Sequence, residues 1–277
     1  VTILATMTAS ETSLLWRALQ CLLEPNPEAK VQAIRQLCQA WQRGDLSLQP
    51  MNHEPPEIPG RPDLPELVAP RELPKRKLGS LQGRAALLHA LAHIEFNAIN
   101  LACDAICRFP GMPREYYTDW LQVADEEALH FTLLQQRLQA YDCAYGDFPA
   151  HNGLWMMAMQ TAADLLHRMA LVPRVLEARG LDVTPGMIEK FSALGDEETA
   201  EVLRVIFRDE ITHVAIGTRW FQHLCTLQNL DPEATYFRLL KQYLRNAVHG
   251  PFHRSARMQA GFTESELDRL EQVATSA

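Results

Sequence analysis

Along most of this chain apolar residues recur three and four positions apart, and strict two-residue alternation is rare. That spacing places side chains on one face of an α-helix, so the pattern predicts an all-α protein. Residues 10–43 read as one or two helices. Ser10 is placed to cap the first, and Asn26-Pro27-Glu28 restarts the second with proline at its first position. Four long helices follow. The first runs from about Leu81 to Phe109 and stops at Pro110-Gly111; the second starts at Pro113 and reaches about Tyr141. The third spans about Gly153 to Ala178, with Gly180 as a natural stop. A short helix after Thr184-Pro185 precedes the fourth, which Asp196 caps and which extends to about Gln228. Asp231-Pro232-Glu233 caps a further helix to about Val248, and Thr263-x-x-Glu266 is a capping box for a last short one.

Helical periodicity fails between residues 50 and 74, which hold eight prolines. Proline lacks the amide donor and clashes with the preceding turn, so this stretch reads as an extended strap. Its apolar residues Ile58, Leu64, Leu67, Val68 and Leu73 suggest a strap laid on the helices. The expected organisation is an N-terminal helical segment (1–49), a Pro-rich strap (50–80), a four-helix bundle (81–229) and a C-terminal helical extension packed on it (230–277).

The core-facing stripes are not wholly apolar. On the second long helix the stripe Trp120, Val123, Ala124, Phe131, Leu134, Leu138 contains Glu127 and His130. On the fourth, Leu203, Ile206, Phe207, Val214, Gly217, Phe221, Leu224 contains Glu210 and His213. Positions i and i+3 share a helix face, so each Glu-x-x-His pair aims at one point. With ten His and 21 Glu in the chain, chance alone supplies roughly one such pair; the registration is more informative. Glu95 lies 32 residues before Glu127, and Glu177 lies 33 before Glu210, so one hairpin pattern repeats at an offset of 82 to 83 residues. Glu95 sits in the first helix's core stripe of Leu88, Leu91, Ala92, Ile99 and Ala102. Glu177 lies between Pro173 and Gly180, and Asp164-x-x-His167 is its rival as the third-helix ligand; spacing favours Glu177.

A buried carboxylate must be neutralised, and four carboxylates with two imidazoles are the ligand set of a dinuclear metal site in a helix bundle. The metal-ligand set read here is Glu95, Glu127, His130, Glu177, Glu210 and His213. This donor set suits two iron ions, with manganese also compatible and zinc less so. Glu127 and Glu210 are the expected bridges. Asp125 and Asp209, each beside a motif, are candidates for orienting the ligands, or simply solvated charges.

Composition narrows the partners. A net charge of −8 argues against a generic nucleic-acid binder. Arg71, Lys75, Arg76 and Lys77, with Arg238, Lys241, Arg245 and Arg254, leave room for a local phosphate-binding patch. Six cysteines without a CxxC motif suit a reduced, cytoplasmic chain. The early apolar run Leu14 to Leu23 is interrupted by Arg17 and Gln20, which argues against a signal peptide, and no membrane-spanning segment is expected.

The segments HALAHIEFNAINLACDA (89–105), ADEEALHFTLL (124–134), PRVLEARGLDVTP (173–185) and RDEITHVAIGTRWF (208–221) make the chain resemble the ferritin-like superfamily of dinuclear carboxylate proteins. Within it, the chain resembles an uncharacterised bacterial ferritin-like family classed as a domain of unknown function. The resemblance covers roughly residues 80–225. It implies a helical bundle holding an iron pair on the same six residues, and no particular reaction. The expected function is an oxidoreductase that activates dioxygen or peroxide on a small-molecule substrate, with a reductase as a partner and oligomerisation open. The alternatives are a nonenzymatic iron-binding or storage protein and an enzyme like the ferritin-like transfer-RNA hydroxylase. The long additions before and after the bundle weigh against a compact storage subunit.

Overall fold

A computed structural model describes residues 12–51, 53–73, 78–245 and 248–276. Among these residues the protein is all-α, its extended pairing limited to two isolated bridges, Ser13 with Ser47 and Leu67 with Ala150. Two compact units divide the chain, Val1–Trp155 and Met156–Ala277.

The first unit is built on a helix hairpin. Helix α1 covers Leu14–Leu23, α2 Pro27–Gln42, α3 Leu81–Arg108 and α4 Arg114–Gln139. The ends follow local chemistry. Ser13 Oγ accepts from Trp16 N and Asn26 Oδ1 from Ala29 N, with Pro27 opening α2 as expected. Ser10 lies outside the described residues, and Ser13 is the cap that α1 uses. Gly111, at φ +84°, makes the turn between α3 and α4. Helices α3 and α4 pack along their lengths, α1 lies on α3, and α2 lies on α4. Helix α3 is long and apolar enough to cross a membrane by length and composition. It is the core helix of this unit, and it carries buried His89, His93, Glu95, Asn97, Asn100 and Asp104.

Lys30, on α2, is fully buried. Its ammonium donates to the carbonyls of Cys21 and Leu22 at 3.0 Å each and to Asn100 Oδ1 at 2.6 Å, joining α2, the end of α1 and α3. Burial lowers its pKa from 10.5 to about 8.

The strap lies against this unit, but different atoms hold it than the sequence suggests. Ile58 and Leu64 are exposed, whereas Pro59 and Pro65 are buried. Its main chain makes the attachments. Gly60 N donates to Leu22 O at 2.8 Å, Val68 N to Ala150 O at 2.8 Å, and Ala150 N to Glu66 O at 2.9 Å. Trp155 Nε1 donates to Glu57 O at 2.7 Å, and Arg108 reaches Pro56 O at 3.0 Å. Gly60 approaches so closely that a Cβ there would lie 2.1 Å from Leu23 O, which excludes every other residue without a backbone shift.

The expected third long helix is three pieces. Helix α5 is Gly153–Gln160 and α6 is Leu165–Leu171; a π-helical turn follows at Val172–Glu177 and runs into α7, Ala178–Ala193. The first break has a side-chain cause. Asp164 takes the N-cap of α6, accepting from Leu166 N at 2.8 Å and His167 N at 3.2 Å. The second is set by Pro173, which offers no amide donor inside the helix; the wider π turn lets the chain continue. Neither Gly180 nor Thr184-Pro185 interrupts α7, which corrects the stop and the restart expected there. A helical glycine costs only about 1 kcal/mol, less than tertiary packing supplies.

In the second unit α8 (Glu197–Leu227) packs against α6, the π turn and α7. Asp196 caps it, as expected. Helix α9 is Pro232–Leu244, capped by Asp231; α10 is Arg254–Gln259, an element without a sequence expectation; α11 is Glu264–Ser276. The capping box forms: Glu266 N donates to Thr263 Oγ1 at 3.1 Å and Thr263 N to Glu266 Oε2 at 3.0 Å. The other oxygen of Glu266 accepts from buried Arg174 at 2.7 Å, whose guanidinium lies among the rings of Phe221, Tyr236 and Phe262. Arg257 grips Asp182 with two bonds of 2.8 Å. These buried pairs tie α11 to the π turn and α10 to α7.

Gly217, on α8, faces Pro173 so tightly that a Cβ would sit 2.3 Å from the proline ring. Gly217→Ala is expected to cost about 1–3 kcal/mol by overpacking, and adding Pro173→Ala should recover part of it; urea unfolding of both variants measures this. Lys30 supplies a pH signature. Its depressed pKa means the unfolded chain binds more protons between pH 8 and 10.5, so the Lys30 contribution to stability should rise with pH across that window. Measured in low salt, wild type should gain on a Lys30→Met variant by up to about 3 kcal/mol over that range; parallel stability curves would contradict it.

Candidate metal centre

The predicted stripes are core faces. Leu88, Ala92, Ile99 and Ala102 of α3, and Trp120, Val123, Ala124, Phe131, Leu134 and Leu138 of α4, are buried. So are Leu203, Ile206, Val214, Phe221 and Leu224 of α8, with Phe207 half-buried. The polar residues set into them are buried too. Glu127, His130 and His213 have no exposed surface, Glu95 retains 4% and Glu210 retains 8%.

In the first unit, His130 Nδ1 lies 3.4 Å from Glu95 Oε2 and 3.5 Å from Glu127 Oε2. One turn of α4 thus supplies two of these groups, and α3 supplies the third from across the hairpin. Burial, with the negative charge of Glu127 beside it, holds the Glu95 carboxyl well above the usual carboxylate range; His130 works in the opposite direction. In the second unit, His213 Nδ1 lies 3.6 Å from Glu210 Oε1, again at i and i+3. Glu95, Glu127 and His130 each offer one ligand atom, and these three atoms all lie within 4.8 Å of one another. This buried Glu/Glu/His group could hold a metal ion.

Glu177 closes the π turn and is half-buried, with Oε2 shielded from solvent. Its rivals have other work. Asp164 spends its carboxylate on the α6 cap, and its side chain is 45% exposed. His167 Nδ1 pairs with Tyr243 Oη at 2.8 Å. Asp125 is exposed, and Asp209 pairs with neighbouring Arg208 at 2.8 Å. Arg254, counted above in a basic patch, is held by Asp268 and Glu271; Lys75, Arg76 and Lys77 lie outside the described residues.

His89 and His93 are also buried on α3 but are committed to a different network. His89 Nε2 accepts from Gly146 N at 2.9 Å. His93 bonds Asn97 and Tyr145, and burial lowers its pKa to about 4, so it is neutral at pH 7. The sequence left Tyr145 unmarked. It stands in a loop without periodicity, yet its ring lies against His89, His93, Phe96 and Phe131. All six cysteines are free thiols, and burial pushes that of Cys38 up to about 12.

Residues 23–268 match the family described as "Protein of unknown function (DUF455)", and the chain belongs to that family. A Haemophilus influenzae protein whose printed name is "Uncharacterized protein" is 48% identical over 219 residues, covering 76% of either chain. No solved structure matches the chain.

Two facing carboxyls in a dry site oppose each other when no metal is bound. Glu95→Gln should therefore stabilise the metal-free protein at pH 7, by about 1 kcal/mol or more, while weakening any stabilisation by added divalent metal. Thermal unfolding with chelator and with iron(II) reads both effects. A variant less stable than wild type in chelator and equally stabilised by metal would remove the carboxyl from the site.

Proposed function

We propose that this DUF455 protein is a dinuclear-metal carboxylate protein of ferritin-like type, with iron as its metal, and that it is an oxidoreductase acting with dioxygen or peroxide. The observation that carries the reading is the buried group of Glu95, Glu127 and His130 in the first unit. The proposal adds the buried pair Glu210 and His213 of the second unit, and Glu177, the repeat counterpart of Glu95.

The donor set fits a metal pair on charge. Four carboxylates balance two divalent ions, and two imidazoles add neutral donors, so a full set would leave no net charge in the core. Oxygen-rich ligation with two nitrogens favours iron or manganese over zinc. When bound, such a pair supplies two-electron chemistry toward dioxygen or peroxide. The chain's own contributions are different. Glu127 and Glu210 would be among the residues that hold the ions, while the apolar stripes keep bulk water away. The i, i+3 spacing holds each imidazole beside its carboxylate before any metal arrives. Free thiols throughout the chain suit a reducing compartment, and a reductase would return electrons after each turnover.

Anaerobic loading of the full chain with iron(II) should give about two ions per chain, and exposure to air should then consume oxygen rapidly. Dependence of that uptake on an organic substrate marks an enzyme; growth of a mineral core marks storage. Glu127→Ala combined with Glu210→Ala should abolish loading. Unchanged iron content in that variant would sink the ligand assignment.

A further inference from the structure

Two tyrosines are hydrogen-bonded to histidines at nearly equal distances, and the two bonds run in opposite directions. Tyr145 Oη lies 2.9 Å from His93 Nδ1 in the first unit, and Tyr243 Oη lies 2.8 Å from His167 Nδ1 in the second. The group on the far side of each imidazole sets the direction.

At His93 that group is an amide. Asn97 Nδ2 lies 2.8 Å from His93 O and 3.0 Å from His93 Nε2. Beside a carbonyl oxygen that atom must be the nitrogen, so it donates to both and Nε2 accepts. The His93 proton therefore sits on Nδ1, which donates to Tyr145 Oη. At His167 the group is a carboxylate. Asp164 Oδ1 accepts from Leu166 N at 2.8 Å and His167 N at 3.2 Å, which fixes this side chain as the cap of α6. Its Oδ2 stands 3.6 Å from His167 Nε2. A carboxylate only accepts, so it favours the proton on Nε2. Nδ1 is left as the acceptor, and the Tyr243 hydroxyl donates to it.

A phenol that loses an electron becomes a strong acid, so it is oxidised most easily where a base stands ready for its proton. Tyr116, Tyr117 and Tyr236 donate to the carbonyls of Ala105, Phe109 and Arg174, which are too weak as bases to take a proton. Tyr145 faces an N–H. Tyr243 alone among these five faces a basic nitrogen. Burial, with the charge of Asp164 beside it, raises the Tyr243 pKa, so the phenol keeps its hydrogen until an electron leaves. An imidazolium formed at His167 would stand beside the Asp164 carboxylate, which favours it. The group lies where α6 packs on α9 and reaches solvent: Tyr243 is half-buried, and the side chains of His167 and Asp164 are 20% and 45% exposed.

We propose that Tyr243 is a redox-active tyrosine, giving one electron to a one-electron oxidant such as a high-potential metal complex while its proton passes to His167. The phenolic O–H bond breaks and an N–H bond forms at Nδ1. The products are a neutral phenoxyl radical, an imidazolium and the reduced oxidant. Re-reduction returns the proton, so the residue can relay single electrons repeatedly. The step uses none of the metal ligands, and it stands or falls apart from the function proposed above.

The test is photo-oxidation of the full chain, kept metal-free with chelator, by ruthenium tris-bipyridine. Transient absorbance follows the phenoxyl radical, and electron paramagnetic resonance of frozen samples identifies it. Tyr243→Phe should lose the long-lived phenoxyl signal, and Tyr145→Phe should keep it. His167→Gln removes the base and should slow radical formation roughly 100-fold. Asp164→Asn keeps a good capping residue on α6 but turns an amide toward Nε2, which reproduces the polarity of His93. It should slow radical formation as well, and it decides the matter if His167→Gln fails to fold. A phenoxyl signal unchanged in Tyr243→Phe would overturn the proposal, as would wild-type rates in the His167 or Asp164 variant.

Discussion

Carboxylates placed inside an apolar core govern this molecule. Glu95, Glu127 and Glu210 occupy positions that the helix periodicity reserves for leucine or alanine. Each ionised group there forfeits hydration worth several kcal/mol, and Glu95 and Glu127 oppose each other. A sequence keeps such residues at core positions only if another requirement outweighs the loss. The helices obey that requirement: α3, α4 and α8 are long carriers that set polar groups within their buried faces. The cost of the acidic cluster falls on the rest of the fold, which must be stable without its help.

The remaining buried charges are treated differently. Arg174 and Arg257 meet Glu266 and Asp182 directly, in bidentate or aromatic-lined settings that balance their charge within the second unit. Lys30 is satisfied by oxygens but not by charge. Three solutions to one electrostatic problem therefore coexist: a paired ion, a solvating cage of neutral dipoles, and a cluster of like charges. Only the first is self-contained.

Much of this was legible in the sequence, for identifiable reasons. Caps such as Asn26, Asp196 and Asp231 act within a few residues, so local chemistry reveals them. The Glu-x-x-His pairs were visible because a helix face is a periodic object and an acidic residue in it stands out. The segment from Gly153 to Ala193 was misread because its breaks depend on alternatives that energy decides narrowly. Asp164 could cap or extend, Pro173 could end a helix or widen it, and Gly180 could stop a helix or be carried through. Tyr145 and Lys30 were silent for another reason. Their roles arise from partners 52 to 70 residues away, which no local pattern encodes.

The strap's mode of attachment bears on the order in which the chain assembles. Its anchor points are the carbonyl of Leu22 at the end of α1, the carbonyl of Ala150 beyond α4, and buried proline rings between them. Main-chain groups have no sequence to select them, so the strap cannot recognise its seat until that seat has a shape. Closing it joins segments far apart in the chain, and loop-closure entropy makes such contacts late ones. The strap is thus a proof-reader of the seat beneath it: its amides pair only when the end of α1 and the Ala150 segment are in place, and otherwise they face water.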